Sequence, residues 1–280
     1  QTGSDNTAVG AYSGYGPTTG SRNTSIGAFS FQNTTSGEKN TALGYGAMRN
    51  NTSGNKNTAG GNYSLYVNTT GDNNTALGEY ALHRSLTGHN NAAVGAYSLQ
   101  YLSSGSSNTA LGYYAGTVNG AGSLYNTTAL GSNASVSAAN QVRIGNAFTT
   151  SIGGYAGWSN LSDGRFKQDV TENVPGLDFI LALRPVTYRL DLSGLQQFLG
   201  MDDEAFGAFS SKSNEQVRTG FIAQEVELAA KQLGFSFSGI DQPGNDQTPY
   251  SLRYAEFVVP LAQGMQEQQA EIDRLQQQIR

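Results

Sequence analysis

A repeat of 17 residues runs through the first half of the chain and constrains its fold more than any other feature. Its most regular part is a pentapeptide of the type Asn-Thr-Ala-Leu-Gly, which starts at Asn6, Asn23, Asn40, Asn57, Asn74, Asn91 and Asn108. A second glycine keeps the same period from Gly20 to Gly105, and an aromatic residue lies two positions after the first glycine in six of the seven copies. Two looser copies end at Gly131 and Gly145. Such a fixed period is typical of a solenoid in which each repeat forms one coil.

The length and composition of the repeat favour a β-solenoid over a helical one. Seventeen residues are too few for a pair of helices, and abundant Gly, Asn, Thr and Ser disfavour helix. We expect one short strand at the Thr-Ala-Leu segment, a second strand at the aromatic position, and both glycines in turns that need positive φ. One coil buries little, so neighbouring coils must stack to make a core. The alternative is a disordered tract rich in Asn, Gly and Ser.

The composition changes near Trp158. Residues 1–157 contain 10 charged residues and 26 glycines, whereas residues 158–280 contain 27 charged residues and 10 glycines. We therefore predict a mainly β protein with two domains, a solenoid shaft at 1–157 and a small α+β domain at 158–280.

Composition also excludes several classes of function. The chain has no Cys, so disulfides and thiolate metal sites are excluded, and His83 and His89 have no Cys or paired His for zinc. We predict no metal and no cofactor. The net charge of -5 argues against a nucleic-acid partner, and no apolar run is long enough to span a membrane. The few carboxylates of the shaft are scattered among different coils, which argues against a glycan hydrolase there.

The start of the chain falls within a repeat. It has neither the basic start nor the apolar stretch of a signal peptide. We therefore expect a longer chain, with any anchor, export signal or glycan-degrading enzyme domain upstream.

Four segments of the second half occur in a fixed order. They are Ser162–Lys167, Leu183–Tyr188, Gly220–Glu227 and Tyr254–Leu261, and the last leads into a glutamine-rich stretch at 266–272. In this order they resemble the peptidase S74 domain, the intramolecular chaperone of phage tailspikes and endosialidases, over residues 159–280. The repeats at 5–146 resemble the head repeats of trimeric autotransporter adhesins and similar repeats in phage tail fibres. These resemblances imply a parallel β-roll of three chains followed by an assembly domain.

The resemblance to peptidase S74 also implies a self-cleavage site. In that family a Ser-Asp-x-Arg-x-Lys segment carries the cleavage, with the serine and lysine as a dyad, and these map to Ser162 and Lys167. The bond expected to be cut is Ser162–Asp163. A free lysine has a pKa of about 10.4, so Lys167 must be desolvated or crowded by cations to accept a proton, and burial on trimer assembly supplies this. A polar loop without chemistry is the alternative.

The chemistry leaves the cut bond open. A serine hydroxyl most easily attacks the carbonyl before it through a five-membered ring, which would cut Leu161–Ser162. A cut after Ser162 needs another route, such as a group from a neighbouring chain, an activated water or Asp163 itself.

The end of the chain, about 255–280, is predicted to be a coiled-coil helix. Its heptad a and d positions are Val258, Leu261, Met265, Gln268, Ile272, Leu275 and Ile279. Gln268 makes a polar layer that can fix register and oligomer state. The alternative is an amphipathic helix on the domain surface. Glu225 and Glu227 are expected to be solvated helix carboxylates, and Asp202, Asp203 and Glu204 a solvated loop rather than a calcium site.

Together these features predict a structural fibre or adhesin segment whose C-terminal domain drives homotrimer assembly and then cleaves itself. The expected setting is the virion, as a tail fibre that contacts a bacterial cell-surface receptor, either glycan or protein. A bacterial surface adhesin with the same self-processing domain is the alternative, as is a fibre with an upstream glycan-degrading domain. The only enzymatic activity expected in this chain is autoproteolysis.

Overall fold

The computed structural model describes residues 3–16, 18–117, 122–199, 216–246 and 248–279. The chain divides into two compact units, residues 1–152 with 191–213 and residues 153–190 with 214–280. The domain boundary at Trp158 stays a prediction. Among the described residues, no helix combines the length and apolar character needed to cross a membrane.

The first unit is a parallel β-solenoid, as the repeat predicts. One strand of each coil joins a nine-stranded parallel sheet, in which Thr7, Ala8 and Val9 pair with Thr24, Ser25 and Ile26 of the next coil. The strands of this sheet are β1 (Thr7–Val9), β2 (Thr24–Ile26), β3 (Thr41–Leu43), β4 (Thr58–Gly60), β5 (Thr75–Leu77), β6 (Ala92–Val94), β7 (Thr109–Leu111), β9 (Thr128–Leu130) and β11 (Val142–Ile144). A smaller sheet pairs β8 (Gly116–Thr117) with β10 (Ser135–Val136).

The solenoid core is narrow because small residues line the strand side. The middle residue of each strand from β2 to β7, and of β9, is buried. These residues are Ser25, Ala42, Ala59, Ala76, Ala93, Ala110 and Ala129. Five successive coils each add a larger buried side chain to the core: Phe31, Met48, Leu65, Leu82 and Leu99. The third residue of most of these strands, typically Leu, Ile or Val, is exposed. The strands therefore alternate as expected, but with the small side chain inside and the large one outside.

A ladder of buried asparagines explains why Asn and the second glycine recur together. Its members are Asn23, Asn40, Asn57, Asn74, Asn91 and Asn108. The backbone N–H of each donates to Oδ1 of the preceding asparagine at 2.9 to 3.0 Å. The side-chain Nδ2 of Asn57, for example, donates to the carbonyl oxygen of Gly71 at 2.7 Å. Each buried amide is thereby bonded to the coils next to it.

The two glycines of the repeat have different roles. The first glycine, from Gly10 to Gly112, has φ between +126° and +140°, which confirms the predicted turn. The second glycine has no positive φ, so that prediction was wrong. A Cβ on Gly20 would overlap the carbonyl oxygen of Gly37, and the same overlap recurs up the shaft. The second glycine is needed for close approach of successive coils rather than for a turn.

The predicted second strand at the aromatic position was also wrong. Tyr12, Phe29, Tyr63, Tyr80, Tyr97 and Tyr114 lie in turns with φ between +53° and +59°. This left-handed conformation is unfavourable for residues other than glycine. The rings offset that cost by stacking on the next coil: Tyr80 and Tyr97 lie 5.3 Å apart at 6°, and Tyr97 and Tyr114 lie 4.6 Å apart at 6°. Among the described residues of the shaft, strands other than those of the nine-stranded sheet occur only as the pair β8 and β10.

The second unit is a small α+β structure. It contains helices α1 (Leu177–Ala182), α3 (Ala223–Gln232) and α4 (Val258–Ile279), whereas α2 (Leu192–Leu199) falls within the first unit. Two antiparallel pairs join β12 (Val186–Tyr188) to β13 (Arg218–Gly220) and β14 (Ile240–Asp241) to β15 (Ser251–Leu252). Short 3₁₀ turns lie at Gly164–Phe166 and Tyr254–Phe257. The core consists of Phe179, Val226, Ala229, Ala230, Phe237 and Phe257.

Helix α4 is attached to this core by one face. Pro260 and Gly264 are buried, and a Cβ on Gly176 would overlap the backbone of Gly264. Glu267 lies one helical turn after Gly264. Its Oε2 accepts a hydrogen bond of 2.7 Å from the backbone N–H of Leu177, at the start of α1. This backbone hydrogen bond, with one from Gln263, holds the pKa of the Glu267 carboxyl below its ordinary value. The predicted helix at the end of the chain is confirmed, and its coiled-coil pairing stays a prediction.

We predict that Asn57→Ala lowers the free energy of unfolding of the shaft by about 2 kcal/mol, because it leaves the buried N–H of Asn74 unpaired and removes one of the two side-chain donors to the Gly71 carbonyl, the other being Asn68. Urea unfolding followed by circular dichroism measures this. Asn33→Ala is the control, since exposed Asn33 bonds Asn50 on the surface. Equal losses from the two variants would contradict a structural role for the buried ladder.

A second prediction concerns pH. The lowered pKa of Glu267 means that its carboxylate stabilises the fold above the unfolded pKa of about 4.3, and that this stabilisation is lost as pH falls through the lower, folded pKa. Glu267→Gln should therefore lower the melting temperature of the second unit at pH 7 and have a smaller effect at pH 3. Exposed Glu172→Gln is the charge-matched control. A Glu267 effect independent of pH would contradict the role of the charge.

Candidate cleavage site

The structure brings Ser162 and Lys167 together. Lys167 Nζ donates a hydrogen bond to Ser162 Oγ over 2.9 Å. That distance allows a proton to pass between the two groups when the amine is neutral. Both residues are exposed in the single chain. The two predicted residues therefore lie within hydrogen-bond distance of each other and are both open to solvent, and their role as a dyad stays a prediction.

A short turn produces this contact. Asp163 caps the 3₁₀ turn at Gly164–Phe166, and its Oδ1 accepts the backbone N–H of Arg165 at 2.9 Å. The N–H of Phe166 donates to the Asp163 carbonyl at 3.1 Å, and that of Lys167 to the Gly164 carbonyl at 3.2 Å. Because the backbone folds back over these residues, the long Lys167 side chain can reach the hydroxyl five positions earlier.

The carboxylate of Asp163 is held from one side by a guanidinium. Arg165 Nε lies 3.1 Å from Oδ1 and 3.0 Å from Oδ2, and Nη2 lies 2.6 Å from Oδ2. The Arg165 side chain, followed by its backbone N–H, lowers the pKa of the Asp163 carboxyl. Asp163 immediately follows the peptide bond expected to be cut. Sequence reasoning did not assign a role to Arg165, although the Asp-x-Arg spacing was a signal for this pairing.

Apolar side chains around the site are exposed. Trp158, Leu161 and Phe166 are 86%, 83% and 69% exposed. These three residues lie within four positions of Ser162 in the sequence, so the chain on both sides of Ser162 presents large apolar side chains to solvent.

The other candidate carboxylates make ion pairs. Glu225 binds Arg184 through both oxygens, at 3.1 and 2.5 Å, and this guanidinium lowers the pKa of Glu225. Glu227 binds Lys231 at 2.7 Å and accepts hydrogen bonds from Gln242 and Tyr250. These contacts support a structural role for both. The residues 202–204 lie outside the described residues.

The histidines lie in the shaft, as the sequence shows. His83 stacks on Tyr66 with ring centroids 5.2 Å apart, and burial lowers its pKa. His89 Nδ1 accepts the backbone N–H of Asp72 at 3.0 Å. In the part of the chain that the structure describes, no group of three or more His, Cys, Asp or Glu residues could hold a metal ion.

Comparison with known proteins identifies the segment that contains this site. A family model described as Peptidase S74, chaperone of endosialidase, matches residues 162–235, so the match begins at Ser162. No curated protein and no solved structure matches the chain. Residues 236–280 of the predicted domain lie outside the match. The chain therefore carries, at residues 162–235, a domain of the Peptidase S74 family, the chaperone of endosialidase, behind a β-solenoid.

Proposed function

We propose that this chain is part of a homotrimeric fibre whose Peptidase S74 domain assembles three chains and then cuts each chain between Ser162 and Asp163. The observation that carries the proposal is the 2.9 Å hydrogen bond between Lys167 Nζ and Ser162 Oγ at the first residue of the family match. The resemblance of the domain to phage tailspike chaperones favours a tail fibre on a virion. A receptor on the bacterial surface, glycan or protein, is the partner proposed for the fibre.

The reaction is hydrolysis of one peptide bond. One water is consumed, the bond between the Ser162 carbonyl carbon and the Asp163 nitrogen breaks, and a carboxylate and an amine form. The water oxygen attacks the Ser162 carbonyl carbon, and its proton passes through the Ser162 hydroxyl to neutral Lys167, which then returns a proton to the departing Asp163 amine. Attack of Ser162 on the Leu161 carbonyl remains the alternative, and it would release a fragment that begins at Ser162.

Two rows of exposed apolar side chains support assembly with other copies. The shaft row consists of the third residues of six strands, Val9, Ile26, Leu43, Leu77, Val94 and Leu111, which are 38% to 55% exposed. The helix row consists of Val258, Leu261, Met265, Ile272, Leu275 and Ile279 on α4, which are also exposed. The helix row lies at the heptad a and d positions, beside the face that buries Pro260 and Gly264. Both rows repeat regularly along an element, which suits identical partners.

Assembly before cleavage gives the proposed order a physical reason. A three-chain solenoid nucleates slowly, since distant segments must pair before they stabilise anything. Three C-terminal helices that associate first would hold the chains at an effective concentration on the order of millimolar. Burial of the site in the trimer would then desolvate Lys167. Loss of the assembly domain would leave the fibre protected by a kinetic barrier to unfolding.

We expect the purified parent to yield two fragments under folding conditions, and Ser162→Ala to remain a single chain of 29.5 kDa. Lys167→Ala should also stay intact, because it removes the proton acceptor. Exposed Ser159→Ala is the control and should cut like the parent. Mass spectrometry of the C-terminal fragment decides between Asp163 and Ser162 as its first residue. A parent that stays whole, or a Ser162→Ala variant cut at the parental rate, would refute the proposal.

The helix row is tested by Met265→Glu in the uncleavable Ser162→Ala chain. Met265 is 71% exposed in one chain, so the change should leave the monomer folded and reduce trimer to monomer. Gln266→Glu adds the same charge one residue along, outside the a and d positions, and should preserve the trimer. Light scattering coupled to size exclusion gives both masses. A Met265→Glu protein that remains trimeric would exclude the helix row from the interface.

A further inference from the structure

We infer that Arg165 is a positioning residue for the proposed self-cleavage, on which this inference rests: its guanidinium holds the Asp163 carboxylate and so fixes both the residue after the cut bond and the turn that brings Lys167 to Ser162.

Arg165 and Asp163 are joined by four hydrogen bonds. The guanidinium donates through Nε to both carboxylate oxygens and through Nη2 to Oδ2, and the Arg165 backbone N–H donates to Oδ1. A planar guanidinium that binds both oxygens of a carboxylate fixes its orientation as well as its position. Asp163 is therefore held in one rotamer, although Arg165 itself is largely exposed.

The same contact orders the turn. Asp163 is the N-cap of the 3₁₀ turn, and the N–H of Lys167 closes the turn on Gly164. The backbone direction at Asp163 thus sets where the Lys167 side chain starts, five residues after Ser162. If Asp163 were free to rotate, the turn would lose its cap and the 2.9 Å contact between Lys167 and Ser162 would be held less firmly.

Arg165 also affects which group can attack the carbonyl carbon of Ser162. A free Asp163 carboxylate can reach the carbonyl carbon of Ser162 through a six-membered ring, which would cut the same bond without the serine. In the structure both oxygens accept hydrogen bonds from Arg165, and the Asp163 pKa lies below its ordinary value. A carboxylate bound in this way is a weaker nucleophile. The arrangement leaves Ser162 and Lys167 as the reacting groups and removes Asp163 from the routes that the sequence left open.

The expected effect falls on the rate of cleavage more than on stability. Exposed ion pairs contribute little to folding. A reacting group displaced by about 1 Å, however, can lose a factor of about 100 in rate. We expect Arg165→Ala to cut at least about tenfold more slowly than the parent while its melting temperature stays unchanged. Arg165→Lys should behave similarly, because an ammonium cannot bind both oxygens in one plane.

A double-mutant cycle tests whether Arg165 acts through Asp163. The cleavage rates of the parent, Arg165→Ala, Asp163→Asn and the double variant are measured on full-length chain after refolding, by mass spectrometry. In the Asp163→Asn background, Arg165→Ala should cause no further loss. Independent, multiplying effects, or an Arg165→Ala variant that cuts at the parental rate, would overturn the inference. Because Ser162→Ala is measured alongside, that result leaves the proposed self-cleavage intact, whereas an uncut parent overturns both.

Two further readouts separate positioning from general structure. Guanidinium chloride at a low, non-denaturing concentration should restore part of the rate of Arg165→Ala, and sodium chloride at the same concentration should not. In the Ser162→Ala background, hydrogen exchange should show that Arg165→Ala speeds exchange of the amides of residues 165–167 and leaves α3 unchanged. If guanidinium chloride does not restore the rate and Arg165→Ala does not speed exchange of the amides of residues 165–167, Arg165 does not hold the turn.

Discussion

The structure of the shaft depends on hydrogen bonds between successive coils. A coil of 17 residues cannot satisfy its own backbone: the N–H of Thr24 donates to the carbonyl of Asn40 at 2.8 Å, and that of Gly27 to the carbonyl of Val9 at 2.8 Å. Buried asparagines add a second set of bonds between the same coils. Unpaired buried polar groups are costly, which favours coils that keep their bonded positions in register. The two looser coils keep the sheet bonds as well, since the N–H of Gly131 donates to Leu111 and that of Gly145 to Leu130.

Close stacking also explains what the shaft leaves outside. Successive coils approach so closely that the second glycine has no room for a side chain, and the strand side of the core holds mainly alanine. The larger residues of the strands, such as Leu43 and Leu77, therefore face away from the core and remain exposed. The shaft thus has a bonded backbone but an incompletely buried apolar surface, which the proposed trimer would cover.

In the second unit, as in the shaft, some side chains make contacts within the chain and others remain exposed. Glu267 and Gly264 attach helix α4 to the start of α1, whereas the apolar side chains of the helix row remain exposed. At the cleavage site, the contacts of Asp163 with Arg165 and of Ser162 with Lys167 form locally within six residues. The geometry is thus set by one chain, and in the proposed mechanism the desolvation of Lys167 would come from assembly.

The sequence by itself determined the solenoid, its period and the helix at the end of the chain, since these follow from repeated spacing and a heptad pattern. The roles of Ser162 and Lys167 rest on a resemblance to a family and stay predictions. The sequence did not reveal that the aromatic residues occupy left-handed turns or that the second glycine serves close approach. Those outcomes depend on contacts between residues 17 apart, such as Tyr80 with Tyr97 and Gly20 with Gly37. Only the tertiary structure decided which large side chains face outward and that Arg165 holds Asp163, because a pattern records spacing and not the direction in which side chains point.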